Sequence, residues 1–81
     1  MLDFVEFEGS IFELTKTYRM KEPGSFGPIT LVMFGPNGSD PLKIVRGTTL
    51  FQGKKITVDM YISSLIPGTL SEEQIVEFVN A

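Results

Sequence analysis

Acid–base, metal or phosphate chemistry in this 81-residue chain must come from ten carboxylates and seven basic side chains, because there is no His and no Cys. That absence excludes disulfides, thiolate nucleophiles, imidazole bases and the usual zinc ligand sets. Paired carboxylates remain able to hydrolyse glycosides or hold a hard cation. Most of the ten fall on polar faces, in loops or where a helix begins, and solvation accounts for them. Asp59 is the exception, since it lies inside the strand-like run Ile56–Ile62. An ion pair with Arg46 across the outer face of a sheet is expected there, in preference to catalysis.

The run from Gly47 to Lys55 has the glycines and lysines of a phosphate-binding loop but not its spacing. Five residues separate Gly47 from Gly53 where that motif needs four, and Lys55 follows Lys54 where it needs Ser or Thr. No Gly-x-Ser-x-Gly elbow is present, and a serine nucleophile without His needs an unusual lysine base. The sequence therefore predicts no enzyme, no cofactor, no metal and no small-molecule substrate.

The basic side chains offer a different chemistry. Lys43, Arg46, Lys54 and Lys55 are close in sequence, and with Phe34 or Phe51 nearby they would make a small nucleic-acid groove of the OB or SH3-like kind. A net charge of −3 and a pI near 4.7 oppose that reading. The charges are also segregated. Residues 1–15 and 56–81 each carry four acids and no base, whereas residues 16–55 hold all seven bases and two acids. Either neighbouring elements neutralise one another, or a dipolar surface docks on copies of itself or on a larger complex.

The elements that must position these groups are mostly strands. Ala occurs once, as Ala81, while Ile, Val and Thr are abundant beside seven Phe and two Tyr. Such side chains suit a pleated surface better than a helix. Gly53-Lys54 suits a type II′ turn pairing Phe51 with Ile56, Thr49 with Val58, Gly47 with Met60 and Val45 with Ile62 on one face. Leu50 then meets Thr57, Thr48 meets Asp59 and Arg46 meets Tyr61 on the other, with Asp59 diagonal to Arg46. Asn37-Gly38 predicts a second turn, joining the central strand Ile29–Phe34 to Leu42–Arg46, with Gly47 marking a bulge or bend. The glycosylation sequon Asn37-Gly38-Ser39 is read as that turn.

The first twenty residues admit two readings. A hairpin at Gly9-Ser10 pairs Phe7 with Phe12, Val5 with Leu14 and Asp3 with Lys16, at the cost of Glu6 facing Glu13. A helix capped by Ser10 with Glu13 is the rival, and the β-branched and aromatic content favours the strand. Phe26, the large apolar residue of the loop Glu22–Pro28, either anchors that loop or faces a partner. Ser71 and Gln74 form a capping box for a short C-terminal helix, Glu72 and Glu73 occupy its positive end, and Leu70 is placed to staple Ile75. Ile75, Phe78 and Val79 make its apolar stripe.

The expected fold is thus one small, mainly β domain over residues 1–81: an antiparallel sheet, or a partly open barrel or sandwich, of about five strands with one C-terminal helix. The acidic start Met1–Glu6 does not read as a secretory signal, and no apolar run approaches the ~20 residues that span a bilayer, so a cytoplasmic or virion location is expected. A chain this short buries roughly 60% of its surface and gains from subunit contacts. The expected function is a non-enzymatic interaction or assembly subunit, such as a structural or accessory component of a viral capsid or tail. A small inhibitor docking on a host enzyme is the alternative, and a nucleic-acid-binding small barrel a further one. Phe26, Lys43, Arg46, Lys54, Lys55, Glu72 and Glu73 are the candidate partner-binding residues.

Overall fold

A computed structural model describes residues 2–22 and 26–79, without the side chains of Phe78 and Val79. Strands β1 (Phe4–Phe7) and β2 (Ser10–Glu13) form a two-stranded sheet. Strands β3 (Thr17–Tyr18), β4 (Ile29–Phe34), β5 (Ile44–Phe51) and β6 (Lys54–Tyr61) form a four-stranded antiparallel sheet in that order. Short 3₁₀ turns occupy Pro36–Gly38 and Ile62–Ser64, and helix α1 spans Glu72–Val79. The mainly β expectation holds, with six strands among the described residues instead of about five. The extra one arises because the chain breaks at Leu14-Thr15, where Thr15 takes φ 71°, and crosses from one sheet to the other. The capped helix at Ser10 does not form.

Both hairpins turn one residue earlier than the glycines suggested. Glu8-Gly9 and Gln52-Gly53 are the central pairs, with φ of 50° and 81° in the first and 51° and 78° in the second. Positive φ at both positions is the type I′ turn, not type II′, and its twist matches that of the flanking strands. Every partner therefore moves by two residues, which keeps each side chain on its expected face. Phe7 meets Ser10 and Val5 meets Phe12, while Phe51 meets Lys54, Thr49 meets Ile56 and Arg46 meets Asp59. Charge explains the choice. The observed register sets Glu6 opposite Ile11 and Glu13 opposite Phe4, which relieves the Glu6–Glu13 repulsion, and it brings Asp59 directly across from Arg46.

Gly47 also differs from expectation. β5 runs straight through it, and the irregularity lies on β4, where the register shifts between Leu31 and Met33. Val32 is the bulged residue. What Gly47 provides is room, since a Cβ there would collide with Ile29 Cγ2 and stand 3.0 Å from the Thr30 carbonyl oxygen. The Asn37-Gly38 turn is present as the first 3₁₀ turn, in which the Ser39 hydroxyl donates to the Pro36 carbonyl at 2.6 Å.

The inner face of the larger sheet presents Tyr18, Ile29, Leu31, Phe34 and Val45, and the β1–β2 hairpin lays Val5 and Phe12 on it. Ile62 and Leu65 complete this core. The Phe12 and Tyr18 rings lie 5.2 Å apart, and the Tyr18 hydroxyl accepts from the Glu13 N–H at 2.8 Å. Burial, the larger effect, pushes the Tyr18 phenol above its ordinary pKa.

Candidate functional site

The two edges of the larger sheet are built differently. At β3 the chain returning from β6 covers the edge: the Lys21 N–H donates to the Ser64 carbonyl, the Ile66 N–H to Arg19 and the Leu70 N–H to Thr17, at 2.9, 2.8 and 2.8 Å. An isolated bridge joins Met20 to Leu65. β6 has β5 on one side, and among the described residues no strand lies on the other.

The two-residue turn dictates which backbone groups of β6 are free. It makes Phe51–Lys54 a hydrogen-bonded pair, and alternation then turns Ile56, Val58 and Met60 toward β5. The Ile62 N–H donates to the Lys43 carbonyl at 2.9 Å, which continues the same phase. Lys55, Thr57, Asp59 and Tyr61 therefore aim their N–H and C=O groups off the sheet. Their side chains share the outer face and are exposed, while Ile56, Val58 and Met60 are half-buried on the inner face.

Arg46 steadies the outer face. Its Nε donates to Asp59 Oδ1 at 2.8 Å and an Nη to Oδ2 at 3.3 Å, a two-pronged contact. The hydrogen bond from Arg46 is the main reason the Asp59 carboxyl lies below its ordinary range, and the same bond raises the guanidinium. The ion pair expected from the sequence thus exists, in direct opposition instead of on the diagonal. Beside it runs a row of threonines in register across all four strands: Thr17, Thr30, Thr48 and Thr57. The Thr17 and Thr30 hydroxyls are 2.8 Å apart.

The candidate partner-binding residues do not form one cluster. Lys43 precedes β5 at one end of the hairpin and Lys54 and Lys55 open β6 at the other, about 26 Å away along the strands. Lys54 and Lys55 are neighbours on opposite faces, and Arg46 is held by Asp59. Phe26 packs against Phe51 with ring centroids 5.6 Å apart, so it anchors its loop. Glu72 and Glu73 are exposed in the first turn of α1. The capping box forms as expected: the Ser71 N–H donates to Gln74 Oε1 at 2.9 Å, and the Gln74 N–H to Ser71 Oγ at 3.2 Å. Of its apolar stripe, Ile75 is half-buried, whereas the side chains of Phe78 and Val79 lie outside the described residues.

Ile75, Thr17, Thr30, Thr48, Leu50 and Lys55 line a cleft of about 420 Å³ on the outer face. Lys55 is its charged residue. Among the described residues no three carboxylates converge as a metal site, and the buried Thr49 hydroxyl has no hydrogen-bond partner. No helix among them is long and apolar enough to cross a membrane. The free edge itself was not legible in the sequence, because it depends on where residues 62–70 lie. Its one sequence signal is the length of the alternating run after the last hairpin turn. No protein-family model matches the chain, and comparison with curated proteins and with solved structures finds no match.

Proposed function

We propose that this chain is a non-enzymatic interaction subunit that joins a protein assembly by adding a partner's strand to β6. The observation that carries this reading is that β6, an eight-residue strand, is paired on one side only among the described residues. Such an edge is a template for strand addition, in which main-chain bonds supply affinity and alternate side chains supply specificity. Proteins that do not use an edge shorten it, break it with Pro or a bulge, cover it, or charge it, as Lys54 and Lys55 charge the start of β6. This chain shortens and covers β3, and β6 has neither a proline nor a register shift. A structural or accessory component of a larger particle such as a viral capsid or tail belongs to this class, and so does an inhibitor docked on a host enzyme. Nucleic acid is disfavoured by the wide separation of Lys43 from Lys54 and Lys55.

Thr57→Pro tests the reading. The Thr57 N–H points off the sheet, so proline there spares the β5–β6 ladder and removes the central donor of the edge. In sedimentation velocity and native mass spectrometry the natural chain is expected as a species larger than 9.0 kDa, or with one retained protein. Thr57→Pro is expected as the bare chain with an unchanged circular dichroism spectrum. A natural chain that is strictly monomeric and unaccompanied, or assembly that ignores Thr57→Pro, overturns the proposal.

A further inference from the structure

The geometry points to a second copy of this chain as the occupant of the β6 edge, paired antiparallel about a two-fold axis through Thr57. This inference rests on the edge reading above and adds the partner and the register. Opposed residues must share a face, and the free backbone groups belong to Lys55, Thr57, Asp59 and Tyr61, so few registers are open. With Thr57 opposite Thr57 of the second copy, Lys55 faces Asp59 of the second copy, and the symmetry repeats that contact in reverse. On the inner face Ile56 meets Val58 of the second copy, again twice. About six main-chain hydrogen bonds form among the outward-pointing groups.

The neighbouring registers are poorer. A slide by one pairing step sets Lys55 opposite Thr57 or Tyr61 of the second copy, and neither ion pair forms. A further step in either direction opposes Lys55 to Lys55 or Asp59 to Asp59, a like-charge contact that repels. The edge therefore specifies one pairing of itself. On the outer face Arg46 Nε lies 2.8 Å from Asp59 Oδ1, so in the pair Asp59 stands between Arg46 of its own copy and Lys55 of the second. Pairing also carries the row Thr17–Thr30–Thr48–Thr57 across the axis into a continuous eight-stranded sheet, because each copy contributes four strands.

The chain has no cysteine, which makes a position-specific cross-link clean to read. A hydrogen-bonded antiparallel pair holds its Cα atoms about 5.5 Å apart, within disulfide range, so Thr57→Cys is expected to cross-link under mild oxidation. Lys55→Cys places its two thiols about 13 Å apart along the strands and is expected to cross-link at least about tenfold more slowly. Sedimentation equilibrium at loadings up to about 200 µM should show dimer for the natural chain and at least about a tenfold weaker association for Lys55→Glu. Mixing Lys55→Glu with Asp59→Lys should restore association, since both cross-strand contacts are then complementary. Equal cross-linking of the two cysteine variants overturns the register whether or not Asp59→Lys folds. A purified chain that stays monomeric overturns self-pairing. If another protein is then retained and lost in Thr57→Pro, the edge reading stands alone, and if Thr57→Pro changes nothing, both fall.

Discussion

The β3 edge and the β6 edge border the same sheet, yet one is stitched shut and the other is open. β3 has two residues, and residues 62–70 donate or accept main-chain bonds along its side while Ile62 and Leu65 enter the core. β6 has eight residues, ends in an exposed Tyr61, and has its inner side chains only half-buried. The closed side holds the fold together and the open side is left available, so substitutions should separate stability from association by edge.

The largest effect is expected at the closed side. Leu65 is 1% exposed and sits where the covering segment meets the core. Leu65→Ala should cost about 2–5 kcal/mol in urea unfolding, through lost burial and the cavity left behind. A loss below about 1 kcal/mol would mean that the covering segment is not structural. Gly47→Ala follows, at about 1–3 kcal/mol, because the new methyl collides with Ile29 across the β4–β5 pair. That cost should appear as a lower midpoint with an unchanged slope.

A matched pair of prolines compares the edges directly. Leu70→Pro deletes the N–H that donates to the Thr17 carbonyl, and should cost about 1–3 kcal/mol by leaving a half-closed edge. Thr57→Pro deletes an N–H that points off the sheet and meets no strand among the described residues, and should stay within about 0.5 kcal/mol of the natural chain in thermal unfolding of the monomer. Equal costs would erase the distinction between the edges. Amide exchange sharpens it: Lys21, Ile66 and Leu70 should be protected in dilute monomer, and Lys55, Thr57 and Asp59 should not.

How far the sequence foretold this arrangement depends on which physical rule each feature obeys. The faces of both hairpins were legible because side chains alternate, and a two-residue slip preserves that alternation. The turns were not. Glycine fits either central position, and here Glu8 and Gln52 accept the left-handed conformation so that glycine falls second. Cross-strand charge carried the missing information, through Glu6 with Glu13 and Arg46 with Asp59. The capping box at Ser71 was legible because it is local. The break at Leu14-Thr15 has no Gly or Pro to mark it. The sealing of β3 is made of main-chain bonds between distant segments, which no side-chain pattern announces.

The smallest effect concerns the charge on the open side. Asp59 is held below its ordinary value of 3.8 mainly by the hydrogen bond from Arg46. A carboxylate with a folded pKa below its unfolded one adds stability that is present above the unfolded value and lost as pH falls through the folded value. Acid titration should therefore show this contribution fading below about pH 4, and Asp59→Asn should remove that part of the pH dependence while leaving the neutral-pH fold intact. Because both side chains of the pair remain partly exposed, the change in monomer stability should be slight and should shrink further in high salt. Dimerisation should be hit harder than folding, since protonated Asp59 loses both Arg46 and Lys55 of the second copy. If acid weakens monomer and dimer equally, Asp59 serves the β5–β6 hairpin alone, and the open edge recognises its partner without it.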